Sequence, residues 1–207
     1  VIDHGGGWET QYCHLKRGSL AVATGDRVAM GAALGEVGYS GLTQFPHLHI
    51  SVRHLGEVVD PFDADGGERC GSGVGYDDDL WSDPIDYVAG GLVSVGIAPA
   101  VPDFSDIKSG AARRDTLPAD APALVGWAQV FGGQRGDTVE LTLTDPTGAV
   151  FHSHDARLEK TQARLFRASG KRASAIGWMV GDWRIAAQLV RDGVVLGDMT
   201  ATVRVEP

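Results

Sequence analysis

The residues best suited to chemistry in this chain are the histidines of Pro46-His47-Leu48-His49 and of Tyr12-Cys13-His14-Leu15. Both segments read as β-strand, where residues i and i+2 project to one face. His47 and His49 are thereby predicted to lie side by side, with Leu48, Ile50 and Val52 turned toward a core. Tyr12 and His14 form a second same-face pair, with Cys13 and Leu15 opposite. Imidazoles at neighbouring positions on one face suit a metal-bound water and the handling of its protons. One ring can serve as a neutral ligand while another titrates close to physiological pH.

The elements that must position these side chains are short and extended. Residues 1–62 alternate apolar and polar side chains between closely spaced glycines. Val1-Ile2-Asp3-His4 reads as a strand, Gly5-Gly6-Gly7 as a tight turn and Glu9 to Leu15 as the return strand. Leu20-Ala21-Val22 and two short strands within 25–35 are expected next. A loop from Tyr39 to Phe45 then leads into a His47–Arg53 strand. Leu55-Gly56-Glu57 is a hairpin turn, and Val58-Val59-Asp60-Pro61 closes the unit. No segment keeps a 3.6-residue apolar period, so an all-β unit is predicted. Because Val1–His4 reads as the body of a strand with no Met or leader before it, the sequence is expected to be a fragment lacking its upstream part.

Residues 63–98 read as an acidic, Gly-rich connector. Its Asp77-Asp78-Asp79 run lacks the ligand spacing of a calcium-binding EF-hand loop. A short helix near Pro84–Ala89 is compatible with the pattern, and Trp81, Tyr87 and Leu92-Val93 could pin the connector to a neighbour. From residue 99 to 207 the pattern is again β. Thr138 to Thr144 alternates strictly, Asp145-Pro146-Thr147-Gly148 is a turn signal, and Asp192-Gly193 is a hairpin signal. Strands at regular spacing predict a small immunoglobulin-like β-sandwich. The basic stretch 155–175 reads as a long loop or partial helix.

Composition narrows the function classes. The formal net charge of −9 argues against nucleic acid as a partner, which needs a basic surface. No run of eighteen apolar residues is present, so no transmembrane helix is predicted. The two cysteines, Cys13 and Cys70, are expected to form a disulfide in an oxidising compartment such as a bacterial periplasm.

Several motifs then fall in order: His4-Gly5-Gly6-Gly7; Thr10-x-Tyr12-x-His14-Leu15; Gly25-Asp26-x-Val28-x-x-Gly31-x-x-Leu34-Gly35-x-Val37-Gly38; Ser40-Gly41 leading to Pro46-His47-Leu48-His49; and Val59-Asp60-Pro61. Together they resemble the lysostaphin-type zinc metallopeptidases, the LytM-like peptidoglycan endopeptidases, over residues 1–62. The resemblance implies the C-terminal half of a LytM-like β-domain of duplicated hybrid, barrel-sandwich type. It implies His49 as a zinc ligand, with His47 and His14 as catalytic histidines beside the metal. It also implies peptidoglycan stem peptides or cross-bridges as substrate, and the bacterial periplasm or cell envelope as location. The family's other two ligands, an upstream His and Asp in a His-x-x-x-Asp motif, have no counterpart here, since Asp3-His4 has the wrong spacing. Zn2+ binding therefore needs residues not present in this chain, and the chain alone is expected to be inactive.

The remaining histidines have plainer readings. His4 is read as turn-associated, His54 as a surface residue, and His152 and His154 as a polar hairpin edge. Tyr12 is divided between site and core. Two rival functions stand beside hydrolysis. One is a degenerate LytM-like activator or cell-wall-binding protein. The other is a biotinyl or lipoyl carrier, which would need a lysine at the hairpin tip where this chain has Ala29-Met30-Gly31.

Overall fold

Two turns rich in left-handed backbone set the first sheet. Gly5, Gly6 and Gly7 all have positive φ, which glycine adopts without steric cost. They join β1 (Ile2–Gly5) to β2 (Trp8–Cys13). Leu55 and Gly56, at φ 52° and 89°, join β3 (His49–His54) to β4 (Glu57–Val59). The four strands pair antiparallel in the order β1-β2-β3-β4. Register puts Thr10 opposite Val52, Tyr12 opposite Ile50 and Cys13 opposite His49. One face therefore carries Trp8, Thr10 and Tyr12 beside Ile50 and Val52. Trp8, Tyr12, Ile50, Val52, Pro61 and Trp81 line a cavity of about 350 Å³ on that face.

This computed structural model describes residues 1–43, 45–63, 80–83, 85 and 88–207. The chain divides into two compact units, Val1–Tyr87 and Val88–Pro207. In the first unit the short strands expected between residues 20 and 35 do not form. The path there is irregular, tied by Ala21 N–H to the Leu34 carbonyl at 3.0 Å and by a bridge between Leu15 and Val37. Glycines interrupt every alternating run, and Leu20 and Met30 stay exposed, so no apolar face rewards a ladder. Cys13 carries a free thiol; Cys70, its expected partner, lies outside the described residues, as do most of the Pro84–Ala89 helix and the 77–79 acidic run.

In the second unit, β5 (Gly91–Ala98), β7 (Ala123–Gly133) and β10 (Gln162–Arg172) form a three-stranded sheet in the order β10-β7-β5. The opposing sheet runs β6-β12-β11-β8-β9, made of β6 (Thr116–Pro118), β8 (Thr138–Thr144), β9 (Val150–Arg157), β11 (Gly181–Arg191) and β12 (Val194–Glu206). Ile97, Leu124, Val130 and Leu165 of one sheet meet Val139, Leu143, Ile185 and Leu189 of the other in a single core, which makes the unit a β-sandwich. Strand β5 thus comes from the stretch read in sequence as connector. The basic 155–175 stretch is mostly strand rather than a long loop or helix: it supplies the end of β9 and all of β10. One six-residue helix, α1 (Phe104–Ser109), breaks the all-β pattern and buries Ile107 beside Trp127 and Ala98.

Several polar groups inside the sandwich are held by specific partners. The indole N–H of Trp178 donates to the Ala121 carbonyl at 2.7 Å, and that of Trp183 to the Met179 carbonyl at 2.9 Å. Asp137, only 2% exposed, accepts from Arg191 Nε and Nη2 at 2.9 and 2.8 Å. The Asp192-Gly193 hairpin forms as its sequence predicts, with both residues at positive φ.

Candidate active site

Three histidines converge where the ends of β2 and β3 meet. His49 opens β3 opposite Cys13, the last residue of β2. His14 then leaves the strand with φ 64°, in the left-handed region. That turn costs more for a residue with a Cβ than for glycine, so it persists only where its surroundings hold it. The surroundings here are residues 36–40. Gly38 N–H donates to the His14 carbonyl at 2.9 Å, and Lys16 N–H to the Glu36 carbonyl at 2.8 Å. Gly38 is required for this approach, because a Cβ at that position would stand 2.4 Å from the backbone of Lys16. The Ser40 hydroxyl donates to the Leu15 carbonyl at 2.6 Å, which fixes the Ser40 carbonyl 2.8 Å from His14 Nδ1.

His47 is held from a different loop. Its Nδ1 lies 2.8 Å from the Phe45 carbonyl, and its ring packs on the Phe45 ring at 4.5 Å between centroids. Thr43 supports this loop by donating its hydroxyl to the same carbonyl at 2.9 Å. A carbonyl oxygen only accepts, so Nδ1 of both His14 and His47 carries the proton. In the neutral form of either ring this tautomer leaves Nε2 with a lone pair, able to accept a proton or bind a metal. The His14 ring centroid lies 4.7 Å from that of His47 and 5.8 Å from that of His49.

The three predicted site histidines are thus brought together, by a route other than strand alternation. His47 precedes β3 and is not a strand residue, and Leu48 is half-exposed and does not reach a core. Tyr12 does not share a face with His14. It faces the cavity with Trp8 and Trp81, and is packing for the sheet. His4 Nε2 shares a hydrogen bond of 2.8 Å with Thr10, and His54 stacks on Trp8 at 4.2 Å rather than standing free at the surface. Thr43 and Phe45 were not singled out in sequence, since their part is played by a hydroxyl and a carbonyl that any polar loop could offer.

Among the described residues, no group of three or more His, Cys, Asp or Glu side chains is placed to hold a metal ion. A catalytic zinc ordinarily takes three protein ligands and a water. The donor set here is imidazole only, and two of its three rings are oriented by backbone carbonyls beside His49. By themselves these residues do not fit a zinc ion; they fit part of a larger ligand set.

No curated protein matches the chain. Among solved structures, the chain is similar to a Bifidobacterium dentium β-glucuronidase (16% identity, 56% of this chain and 18% of that one, TM-score 0.35). It is similar to a multi-modular cell-surface chitinase of Paenibacillus (16% identity, 70% and 10%, TM-score 0.31). A CARDB domain from Pyrococcus furiosus is similar at 14% identity, over 45% of this chain and 81% of that one, with TM-score 0.31. The chain spans less than a fifth of the length of the first two. The first unit has a sharper match: residues 1–61 fit Peptidase family M23. That segment, which carries all three converging histidines, matches the family over 61 of the 207 residues, consistent with a lysostaphin-type, LytM-like peptidase segment.

Proposed function

We propose that residues 1–61 are the histidine-bearing part of a zinc-dependent endopeptidase that hydrolyses peptide bonds of bacterial peptidoglycan. The observation that carries this reading is the convergence of His14, His47 and His49, with Nδ1 of the first two fixed on carbonyls. In the proposal His49 is a metal ligand, and a His and an Asp outside these 207 residues complete the set. Zinc bound there would polarise the peptide carbonyl and acidify a water. This chain's own contribution is proton handling and orientation. Nε2 of His14 and His47 accept or return the proton of the attacking water, and their protonated rings face the developing oxyanion. The backbone carbonyls of Ser40 and Phe45 hold the rings in the tautomer this requires.

The second unit is proposed to be an immunoglobulin-like accessory module that includes β5, and the periplasm or cell envelope to be the setting. No helix among the described residues is long and apolar enough to cross a membrane. The lack of a complete ligand set among the described residues also supports a second reading, a non-catalytic LytM-like activator or cell-wall-binding protein.

Purified parent protein, incubated with peptidoglycan sacculi with and without zinc, separates the two readings. Release of new peptide amino termini, abolished by a chelator and restored by zinc, is expected of the enzyme. His49→Ala should lose bound zinc, whereas His14→Ala should keep zinc and lose rate by about 10²–10⁴-fold. A parent that binds sacculi without cleaving them would establish the second reading. Unchanged turnover in His14→Ala would remove the role given to that ring.

A further inference from the structure

The inner faces of a β-sandwich are ordinarily apolar along their whole length. At one open edge of the second unit that rule fails on both sheets. Register sets Leu143 opposite His152, Leu141 opposite His154 and Val139 opposite Ala156. The β8 residues of these pairs are core residues, so His152 and His154 point inward with them. On the facing sheet Leu165 is buried, and alternation along β10 turns Arg167, Ser169 and Lys171 the same way. The two rows touch, since His152 Nε2 and Ser169 Oγ share a hydrogen bond of 2.8 Å.

These inward positions carry hydrogen-bond donors and positive charge without a carboxylate. Asp155, the nearest acid on β9, faces outward with Glu140. The inward residues of β7 and β8 beside the seam are Gly126, Ala128, Leu141 and Leu143, all without charge. Between Arg157 and Arg172 the chain has six Lys or Arg residues and one acid, and among the described residues none of the six forms an ion pair. The strain of this arrangement shows in His152. Burial, then the charges of Lys171 and His154, hold its imidazole below the ordinary value. Uncompensated cations on β10, facing imidazole N–H donors of β9 across a partly desolvated seam, are stabilised by an anion that accepts from both sides.

We propose that the seam between β9 and β10 is a phosphate-binding site, built by His152, His154, Ser169 and Lys171 with Arg167 alongside. Donors arrive from two opposed strands and from a hydroxyl between them. That distribution suits a tetrahedral phosphate, whose oxygens point in four directions, better than a planar carboxylate. The ligand class is a phosphate ester or free phosphate. In a cell envelope a phosphodiester polymer would present this group repeatedly.

Titration of the whole 207-residue chain with inorganic phosphate at constant pH and ionic strength, followed through histidine ring resonances, tests the site. Saturable shifts confined to His152 and His154 are expected, with His4 and His54 unmoved. Lys171→Gln should weaken the dissociation constant about tenfold, and His154→Gln should weaken it measurably. Both replace exposed side chains and leave the core intact. Glycerophosphodiester is titrated in parallel. Tighter binding of the diester assigns the site to a polymer backbone, and tighter binding of inorganic phosphate to a free or terminal group. Shifts that fail to saturate, that acetate reproduces at equal concentration, or that survive Lys171→Gln unchanged would overturn the proposal.

Discussion

Asp137→Asn isolates the one ion pair of the second unit that is well removed from water. The native carboxylate accepts three charge-assisted or backbone bonds: Arg191 Nε on Oδ1 at 2.9 Å, and Arg191 Nη2 and Gln134 N–H on Oδ2, each at 2.8 Å. Asparagine keeps the shape but offers one acceptor oxygen, so its amide N–H₂ meets the guanidinium in either orientation: Arg191 Nε on the Oδ1 side, or Arg191 Nη2 together with the Gln134 N–H on the Oδ2 side. The guanidinium, whose side chain is 18% exposed, would retain its bond to the Gly132 carbonyl but lose its counter-charge. Breaking a buried pair from one side costs about 3–5 kcal/mol, and the residual exposure of Arg191 places this case near about 3 kcal/mol. Urea unfolding followed by the fluorescence of buried Trp127, Trp178 and Trp183 reads this directly. With a slope of about 2 kcal/mol/M, the midpoint should fall by about 1.5 M. The pH dependence has a definite sign. Hydrogen bonds from Arg191, reinforced by Gln134, hold the Asp137 carboxyl below its ordinary value against the opposing effect of burial. The unfolded state then binds the proton more readily, so the stabilisation is full above the ordinary carboxylate pKa and is lost as pH falls through the lower folded value. The gap between native protein and variant should therefore narrow below about pH 4. A loss under about 1 kcal/mol at neutral pH, or a gap that stays constant into acid, would refute the reasoning.

Three further outcomes follow from the geometry. Gly38→Ala would drive a Cβ to 2.4 Å from the Lys16 backbone, so the 36–38 strap should lift and the amides of Lys16 and Gly38 should exchange faster; native exchange rates would contradict the support assigned to His14. Gly170→Ala sets a Cβ 2.0 Å from the Leu124 carbonyl in the β7–β10 ladder, and should destabilise the protein by about 2–4 kcal/mol in the same urea assay. Cys13 is a half-buried free thiol, so it should react with a small alkylating reagent in the native 207-residue protein; full protection without reductant, relieved by reductant, would instead establish a disulfide.

Local chemistry made part of this architecture readable. Gly5-Gly6-Gly7, Leu55-Gly56 and Asp192-Gly193 all turn where their sequence demands, because each turn is decided within four residues. The convergence of His14, His47 and His49 was also legible, but its mechanism was not. Strand alternation paired only His47 with His49 and the motif resemblance added His14, whereas the protein uses a positive-φ residue at His14 and a loop carbonyl at Phe45. Such contacts join positions as far apart as His14 and Ser40, and no local period records them. Strand β10 was missed for a related reason. Its inward row reads Leu165, Arg167, Ser169 and Lys171, and the cations erase the apolar alternation by which a sandwich strand is recognised.

The ends of the two sheets carry one more consequence. Strands β9 and β10 each lie at a sheet edge, where a row of backbone N–H and C=O groups has no neighbouring strand. Such rows template the addition of a strand from another chain, and charged side chains along them keep that chain away. Arg157 on β9 and Arg164, Lys171 and Arg172 on β10 are exposed along these edges. Their mutual repulsion between molecules keeps the unit from growing sheet onto sheet. Any condition that cancels those charges without supplying bulk, whether high salt or neutralising substitution, removes that barrier and turns two quiet margins into sites of self-assembly.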